Sequence, residues 1–294
     1  MKNFVLVDIG GTSIKYGLMR EDDIWLDKQI TDTNAHKGAH HIMNKVKELI
    51  AWYMKNHVVE AICISTAGVV DSQTGEILHA SNAIPNYKGT NVKELMENEF
   101  HIPCFVENDV NCAGYAESYG KHGKDAKALV CLTVGTGIGG SLLLQNELYH
   151  GASYFAMEVG YINIDGHEFQ EVASTTSLVD MVCKRKKDGK EYTGRIIFEL
   201  AKQGDEICKD AIHTLCLYLA KGIASICYIT NPDTIILGGG IMKQHTYLYP
   251  ILNGYLKEIL IPYVYERVTL KFAYYDNDAG MLGAYMGYKN RILQ

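Results

Sequence analysis

The chain has 294 residues and a mass of 32.8 kDa, enough for about two domains at roughly 100–200 residues each. With 47% hydrophobic and 21% charged residues, it can build a full core, which excludes general disorder. A formal net charge of −6 argues against nucleic-acid binding driven by overall basicity. Two oddities remain: 28 glycines against 5 prolines, and 8 cysteines.

The N-terminal apolar run is broken by Asp8 and is too short for a signal-peptide core. No uncharged stretch reaches the 18 or so residues that span a bilayer; the longest candidate, 215–229, contains Lys221. A cytoplasmic setting without membrane attachment is expected, where thiols stay reduced. The cysteines stand at 63, 104, 112, 131, 183, 208, 216 and 227, never as C-x-x-C. Most lie in apolar runs, so buried, inert thiols are expected.

Short β-type runs alternate with amphipathic segments, which indicates an α/β fold. Residues 4–9 form an apolar strand, stopped by Gly10-Gly11-Thr12-Ser13, and 14–19 resume as a second strand. A helix is expected over 40–56 and a strand over 61–65. Asn91 with Glu94 marks the start of a helix ending near Phe100. Residues 104–106 form a short strand and 110–119 a helix. Residues 129–134 form another buried strand, followed by Gly135-Thr136-Gly137-Ile138-Gly139-Gly140 and a strand over 141–145. This repeats the first strand–turn–strand pattern and hints at two related halves. A long helix is expected over 205–229 and a strand over 234–237 leading into Gly238-Gly239-Gly240. A strand over 268–275 and a helix over 279–288 complete the chain. The run Lys184-Arg185-Lys186-Lys187 reads as a solvated loop.

Glycines between strands allow positive φ and close approach of backbone N–H groups to a ligand. Such amide arrays bind anions, phosphate above all. The turn at Gly10, Gly11 and Thr12 adds a hydroxyl, and Asp8 just before it could hold Mg²⁺ directly or through water. A tight hairpin is the plain alternative. Neither glycine turn has the GxxxxGK[ST] pattern. Gly135, Gly137 and Gly140 fit G-x-G-x-x-G, but two strands flank them where a dinucleotide site needs a helix. Gly238, Gly239 and Gly240 could let a flat ring lie on the backbone. Glu107-Asn108-Asp109 follows a strand, where ligands usually bind in α/β folds. Asp109 reads equally as a general base or as the cap of the next helix. Glu158, in MEVGY, is a sugar-hydroxyl acceptor or a loop charge.

These pieces, in this order, resemble the ROK family of repressors and sugar kinases, within the sugar kinase/actin/heat-shock-ATPase superfamily. The motifs are Asp8-Ile9-Gly10-Gly11-Thr12 with Lys15, Ala67-Gly68-Val69-Val70-Asp71, Ser81-Asn82, Glu107-Asn108-Asp109-Val110-Asn111, Thr133 through Gly140, Glu158-Val159-Gly160, Asn231-Pro232 with Leu237-Gly238-Gly239-Gly240, and Asp278-Ala279-Gly280. The resemblance implies two ribonuclease-H-like (actin-like ATPase) α/β domains with ATP and sugar in an interdomain cleft. The smaller domain would take residues 1–112 plus about 276–294, the larger 113–275. It implies that the first turn, with Lys15, and Thr136-Gly137 hold the ATP phosphates. Asp8 would lie near Mg²⁺, and Gly238–Gly240 would support adenosine. Asn82, Asn108, Asp109 and Glu158 would contact the sugar. Asp109 would take the proton of the C6 hydroxyl as that oxygen attacks the γ-phosphate. Repressors of the family carry an added helix-turn-helix domain; with the phosphate turn at residue 10, a kinase is expected. The family often forms homodimers.

The chain departs from the family at its zinc motif. The usual Glu-x-Gly-His is Glu158-Val159-Gly160-Tyr161 here, and no cysteine lies between Cys131 and Cys183. Structural zinc wants four N/S ligands, so none is expected. Tyr161 is either a core residue or a replacement for the lost His at the sugar. The family's last Glu aligns with Gln170, or with Glu171 after a one-residue shift. The missing segment borders the C1/C2 side of the sugar, so a β-glucoside such as cellobiose, or N-acetylmannosamine, joins glucose as a candidate acceptor. A non-catalytic sugar sensor is the rival class.

Overall fold

The computed structural model describes residues 1–292 and divides the chain into two compact α/β units. Unit 1 comprises Met1–Tyr119, His150–Ala156 and Asn277–Gln294. Its sheet is built from β1 (Asn3–Ile9), β2 (Ser13–Arg20), β3 (Trp25–Asp32), β4 (Val59–Thr66) and, after the small hairpin of β5 (Val69–Asp71) and β6 (Glu76–His79), β7 (Cys104–Asn108). The strand order is β3-β2-β1-β4-β7. The first three form an antiparallel meander, and β4 and β7 run parallel to β1.

Strand β1 is a near-continuous apolar run because helices cover both its faces. Val5, Val7 and Ile9 share a core with Ile42, Val46 and Ile50 of α1 (Gly38–Met54) and with Val92 and Met96 of α2 (Val92–Phe100). The 3–4 spacing of those residues is the sequence signal for both helices. The Asn91 carboxamide caps α2 by accepting from Glu94 N–H. On the other face Phe4 meets Tyr285 of the C-terminal helix Ala279–Ile292 at 5.0 Å between ring centroids. That helix also packs along α3 (Asp109–Tyr119). A Cβ on Gly283 would lie 1.7 Å from the Cys112 carbonyl oxygen, so the two backbones touch there.

Unit 2 comprises Gly120–Tyr149 and Met157–Asp276. Its sheet contains β8 (Ala128–Val134), β9 (Ile138–Leu144), β10 (Glu147–Leu148) and, beyond the short pair β11 (Asn163–Ile164) and β12 (His167–Glu168), β13 (Thr234–Gly238) and β14 (Thr269–Phe272). The order β10-β9-β8-β13-β14 reproduces that of unit 1, meander first and parallel strands after. The hint of two related halves is thus visible as topology. Helices α4 (Phe169–Ala173), α5 (Thr175–Lys186), α6 (Gly194–Lys202), α7 (Glu206–Thr230), α8 (His245–Ile259) and α9 (Pro262–Tyr265) complete it. The center of its core is α7, which buries residues from Cys208 to Cys227. This helix is long and apolar enough to cross a membrane, yet it serves as the core helix of a folded unit.

Four local expectations change. The basic run 184–187 is the last turn of α5 and its C-cap, not a loop; cations there complement the helix dipole. Strand β9 starts at Ile138, so Gly139 and Gly140 lie inside it and the turn is only Gly135–Gly137. Strand β14 is shorter than the expected 268–275. Residues 113–119 and 150–156 fall in unit 1, because α3 continues unbroken to Tyr119 and the second segment folds back onto unit 1. None of the eight cysteines is in a disulfide, and seven are buried; Cys183 is half-buried.

Candidate active site

In unit 1 the strand registers place Lys15, Asp8, Ser65 and Glu107 in one row across β2, β1, β4 and β7. Residues at matched register project from the same face. The Lys15 ammonium donates to Asp8 Oδ2 at 3.0 Å, and the Ser65 hydroxyl donates to Asp8 Oδ1 at 2.7 Å. Asp8 also lies against the start of the C-terminal helix, where a Cβ on Gly280 would sit 2.6 Å from its carboxyl carbon.

Glu107 is 1% exposed. Its Oε1 accepts from Asn108 N–H at 2.8 Å and Asn111 Nδ2 at 2.9 Å, and its Oε2 meets His150 Nε2 at 2.7 Å. Every oxygen of this buried carboxylate is therefore partnered, as burial demands.

Asn108 caps α3: its Oδ1 accepts from Val110 N–H at 2.9 Å and Asn111 N–H at 3.0 Å. Its Nδ2 donates to Gly68 O at 2.9 Å and Asp109 Oδ1 at 3.0 Å. Asp109 opens α3, half-buried, with Val110 N–H donating to the same Oδ1 at 2.9 Å. The capping role that the sequence left open for Asp109 is thus carried mainly by Asn108. Nearby, burial and then the Asp109 charge push the Tyr87 phenol up to about 12. Burial, followed by the charges of Glu107 and Asp8, holds the Cys112 thiol well above its ordinary range, with Asp109 adding to the effect. Three carboxylates acting on one thiol mark one acidic end of the sheet, at the C-terminal ends of β1 and β7, where α/β sheets bind ligands.

Thr33 fixes the turn at Gly10–Thr12 from both sides. Its hydroxyl donates to Gly10 O at 2.6 Å and its N–H to Thr12 O at 2.9 Å. Neither Gly10 nor Gly11 has a positive φ, nor do Gly135, Gly137, Gly140, Gly238 and Gly240; within the three clusters only Gly239 does, at +108°. The clusters therefore work through bareness more than through turn geometry. A Cβ on Gly11, Gly135 or Gly240 would meet no atom within 4 Å.

In unit 2 the Gly135–Gly137 turn is tied to the N-terminus of α5. Thr175 N–H donates to Gly135 O, and the Thr176 hydroxyl donates to Thr136 O, both at 2.9 Å. Beside it opens a cavity of about 650 Å³ lined by Gly135, Thr136, Arg195, Phe198, Gly240 and Ile241, a size suited to a cofactor-sized molecule. The cavity joins two of the three glycine clusters, with cationic Arg195 and Lys243 among its walls.

The remaining expected residues are placed as follows. Asn82 is exposed in the loop after β6. Glu158 stands half-buried at the start of the one-turn helix Val159–Tyr161. Tyr161 is 51% exposed, which removes core packing as its role. Gln170 Nε2 donates to Glu168 Oε2 at 2.8 Å. Its Oε1 sits 2.8 Å from where a Cβ of Gly137 would be, and 3.0 Å from one on Gly160. Glu171 instead closes a capping box with Glu168 at the start of α4. Of the two alignments, Gln170 is the one that faces the glycine turn. Among the described residues, no group of three His, Cys, Asp or Glu is placed to hold a metal.

Sequence reasoning missed His150 and Ser65. Ser65 was legible only as an inward residue of a strand. His150 lies 43 positions from Glu107, and no periodicity announces such a pair.

The ROK family model matches residues 4–290. An uncharacterized protein of Clostridium perfringens is 43% identical over 98% of each chain. A beta-glucoside kinase of Listeria innocua is 31% identical over 94% of each chain. Among solved structures, a ROK family glucokinase from Streptomyces griseus in complex with glucose and AMPPNP is 27% identical, with a TM-score of 0.83 over 96% of this chain and 97% of that one.

Proposed function

The chain belongs to the ROK family and is a carbohydrate kinase, and on that premise we propose that it phosphorylates the 6-hydroxyl of a hexose-type sugar, glucose or a β-glucoside such as cellobiose, at the expense of ATP. The observation that carries this reading is the acidic end of unit 1. There Asn108 both caps α3 and donates to Asp109, in line with the bonded row Lys15–Asp8–Ser65. Phosphoryl transfer needs mainly positioning, charge neutralisation and one carboxylate to receive a proton.

In this reading Asp109 accepts the proton of the C6 hydroxyl as that oxygen attacks the γ-phosphorus and ADP leaves. Asn108 keeps the carboxylate in place, and Asn82, Glu158, Tyr161 and Gln170 contribute sugar contacts. Gly10, Gly11, Thr12 and Lys15 are assigned to phosphate binding, and so are Thr136 and Gly137. Gly238, Gly239 and Gly240 border the adenosine cavity. The residues fit such ligands, because the open space beside Gly11, Gly135 and Gly240 is space that a Cβ would occupy. Asp8 is the carboxylate suited to Mg²⁺, held through water or the phosphates, and the ion would neutralise charge developing on the phosphoryl oxygens. No structural zinc is part of the reading, and a cytoplasmic setting is.

The relatives named beta-glucoside kinase support the glucoside branch. A coupled assay of ADP release with glucose, cellobiose and N-acetylmannosamine tests the reading. It expects turnover with glucose or cellobiose and phosphate at O6 of the product. Turnover confined to N-acetylmannosamine would move the acceptor class. No sugar-dependent ADP release at all would favour a sensor.

A further inference from the structure

The segment His150–Ala156 is assigned to unit 1 although its chain neighbours on both sides belong to unit 2. It closes on itself, Ala156 N–H donating to His150 O at 3.2 Å. Three side chains tie it down. His150 reaches the buried Glu107 at 2.7 Å. The Tyr154 hydroxyl bonds the Asp71 carboxylate; against burial, which raises it, the backbone N–H groups of Gln73 and Thr74 and then this hydroxyl hold Asp71 below its usual range. Phe155 meets His79 edge to face, ring centroids 6.3 Å apart. The His150 and Tyr154 rings also meet edge to face at 5.6 Å.

Tyr154 has φ +60° and Met157 φ +65°. Left-handed backbone at two bulky residues within four positions is costly, about 1–3 kcal/mol each, and persists where the surroundings over-determine it. The result of this tethering is that Phe155, the largest apolar side chain of the segment, is kept 43% exposed. A lone exposed aromatic needs no explanation. One held outward by strained backbone, between a tie to the neighbour of Asn108-Asp109 and a tie three residues before Asn82, does.

We propose that Phe155, backed by His79, is the platform for a second sugar ring, so that the acceptor site of unit 1 favours a disaccharide-type glycoside over a free hexose. This deepens the kinase reading and rests on it for the position of the first ring. The chemistry is that of aromatic faces against the C–H face of a pyranose, where a rigid apolar surface is buried at little entropic cost. His150 is a positioning residue for this platform, acting through the segment.

The test compares wild type, Phe155→Ala and Phe155→Trp with cellobiose and with glucose, by kcat/KM and by titration calorimetry. Wild type is expected to bind cellobiose more tightly than glucose. Phe155→Ala should weaken cellobiose about tenfold, mostly in KM, and leave glucose within about twofold. Phe155→Trp should retain the cellobiose preference. Equal affinity of wild type for the two sugars, or an equal loss for both in Phe155→Ala, overturns the proposal. The calorimetric arm separates it from the kinase reading, since tight cellobiose binding without ADP release would sink the latter and leave the platform standing.

Discussion

At Gly239 the backbone has φ +108°, and a Cβ would lie 2.2 Å from the Val134 carbonyl oxygen. At Gly11 the φ is ordinary and the adjoining space is open. Two glycines of similar sequence context thus have different reasons to be glycine. Gly239→Ala should destabilise the protein by about 2 kcal/mol or more, from backbone strain and clash, seen as a several-degree fall in Tm. Gly11→Ala should leave Tm within about a degree while weakening nucleotide affinity about tenfold or more, because the methyl enters the space assigned to phosphate. His150→Ala offers a third reading at this scale. It strips a partner from the buried Glu107 and should cost about 1–3 kcal/mol, measurable by urea unfolding. The catalytic candidates were legible because Glu107-Asn108-Asp109 follows a strand. The division of labour between Asn108 and Asp109 was not, because both side chains can cap, and only hydrogen-bond geometry separates them. Tyr161 likewise could not be placed inside or outside from its neighbours alone.

Elements with a strong apolar signature were readable to within a few residues. Strand β1 and helices α1 and α7 bury continuous or 3–4-spaced apolar residues, which is the signal itself. Strand β3 lacked that signal: its sequence, WLDKQITD, lies on the sheet edge and is largely exposed. Helix α8 contains Pro250 as its sixth residue, which argues against a helix in sequence because proline removes an intrahelical N–H donor. The end of α5 was misread because a run of four cations suggests a loop until the helix C-terminus and its acidic neighbour are known. Lys186 bonds Asp205, which also caps α7 by accepting from Cys208 N–H. The Lys186 bond first, and the Cys208 N–H next, lower the Asp205 carboxyl from 3.8 to about 2. A depressed carboxyl contributes stability that is full above its unfolded value and is lost as pH falls through the folded one. Wild type should therefore lose this contribution between about pH 4 and pH 2. Asp205→Asn keeps a competent cap and should show a flatter dependence of the urea midpoint over that window. An unchanged slope would remove the Lys186–Asp205 bond from the account.

For the whole molecule, two sheets of the same strand order, each carrying a glycine turn between its leading strands, explain why the chain reads as a repeated pattern about 125 residues apart in its turns. The fold was legible because the repeated pattern constrains topology. The assignment of His150–Ala156 to unit 1 was not, since a segment that leaves one unit and returns carries no mark in composition. The cysteines divide the same way. Burial raises Cys216 to about 12 and Cys227 to about 11, as inert core thiols require, while metal content follows only from ligand grouping. Elemental analysis of the purified protein should find no stoichiometric zinc; one zinc per chain would contradict this. The central claim is that Asp109 is the general base of a sugar kinase, and it is tested most directly by Asp109→Asn, whose side chain keeps the shape and the contact with Asn108 but cannot take the proton. The account predicts that sugar-dependent ADP release falls by about 10²–10⁴-fold while ATP affinity measured by calorimetry stays within about twofold; a kcat like that of wild type would contradict it.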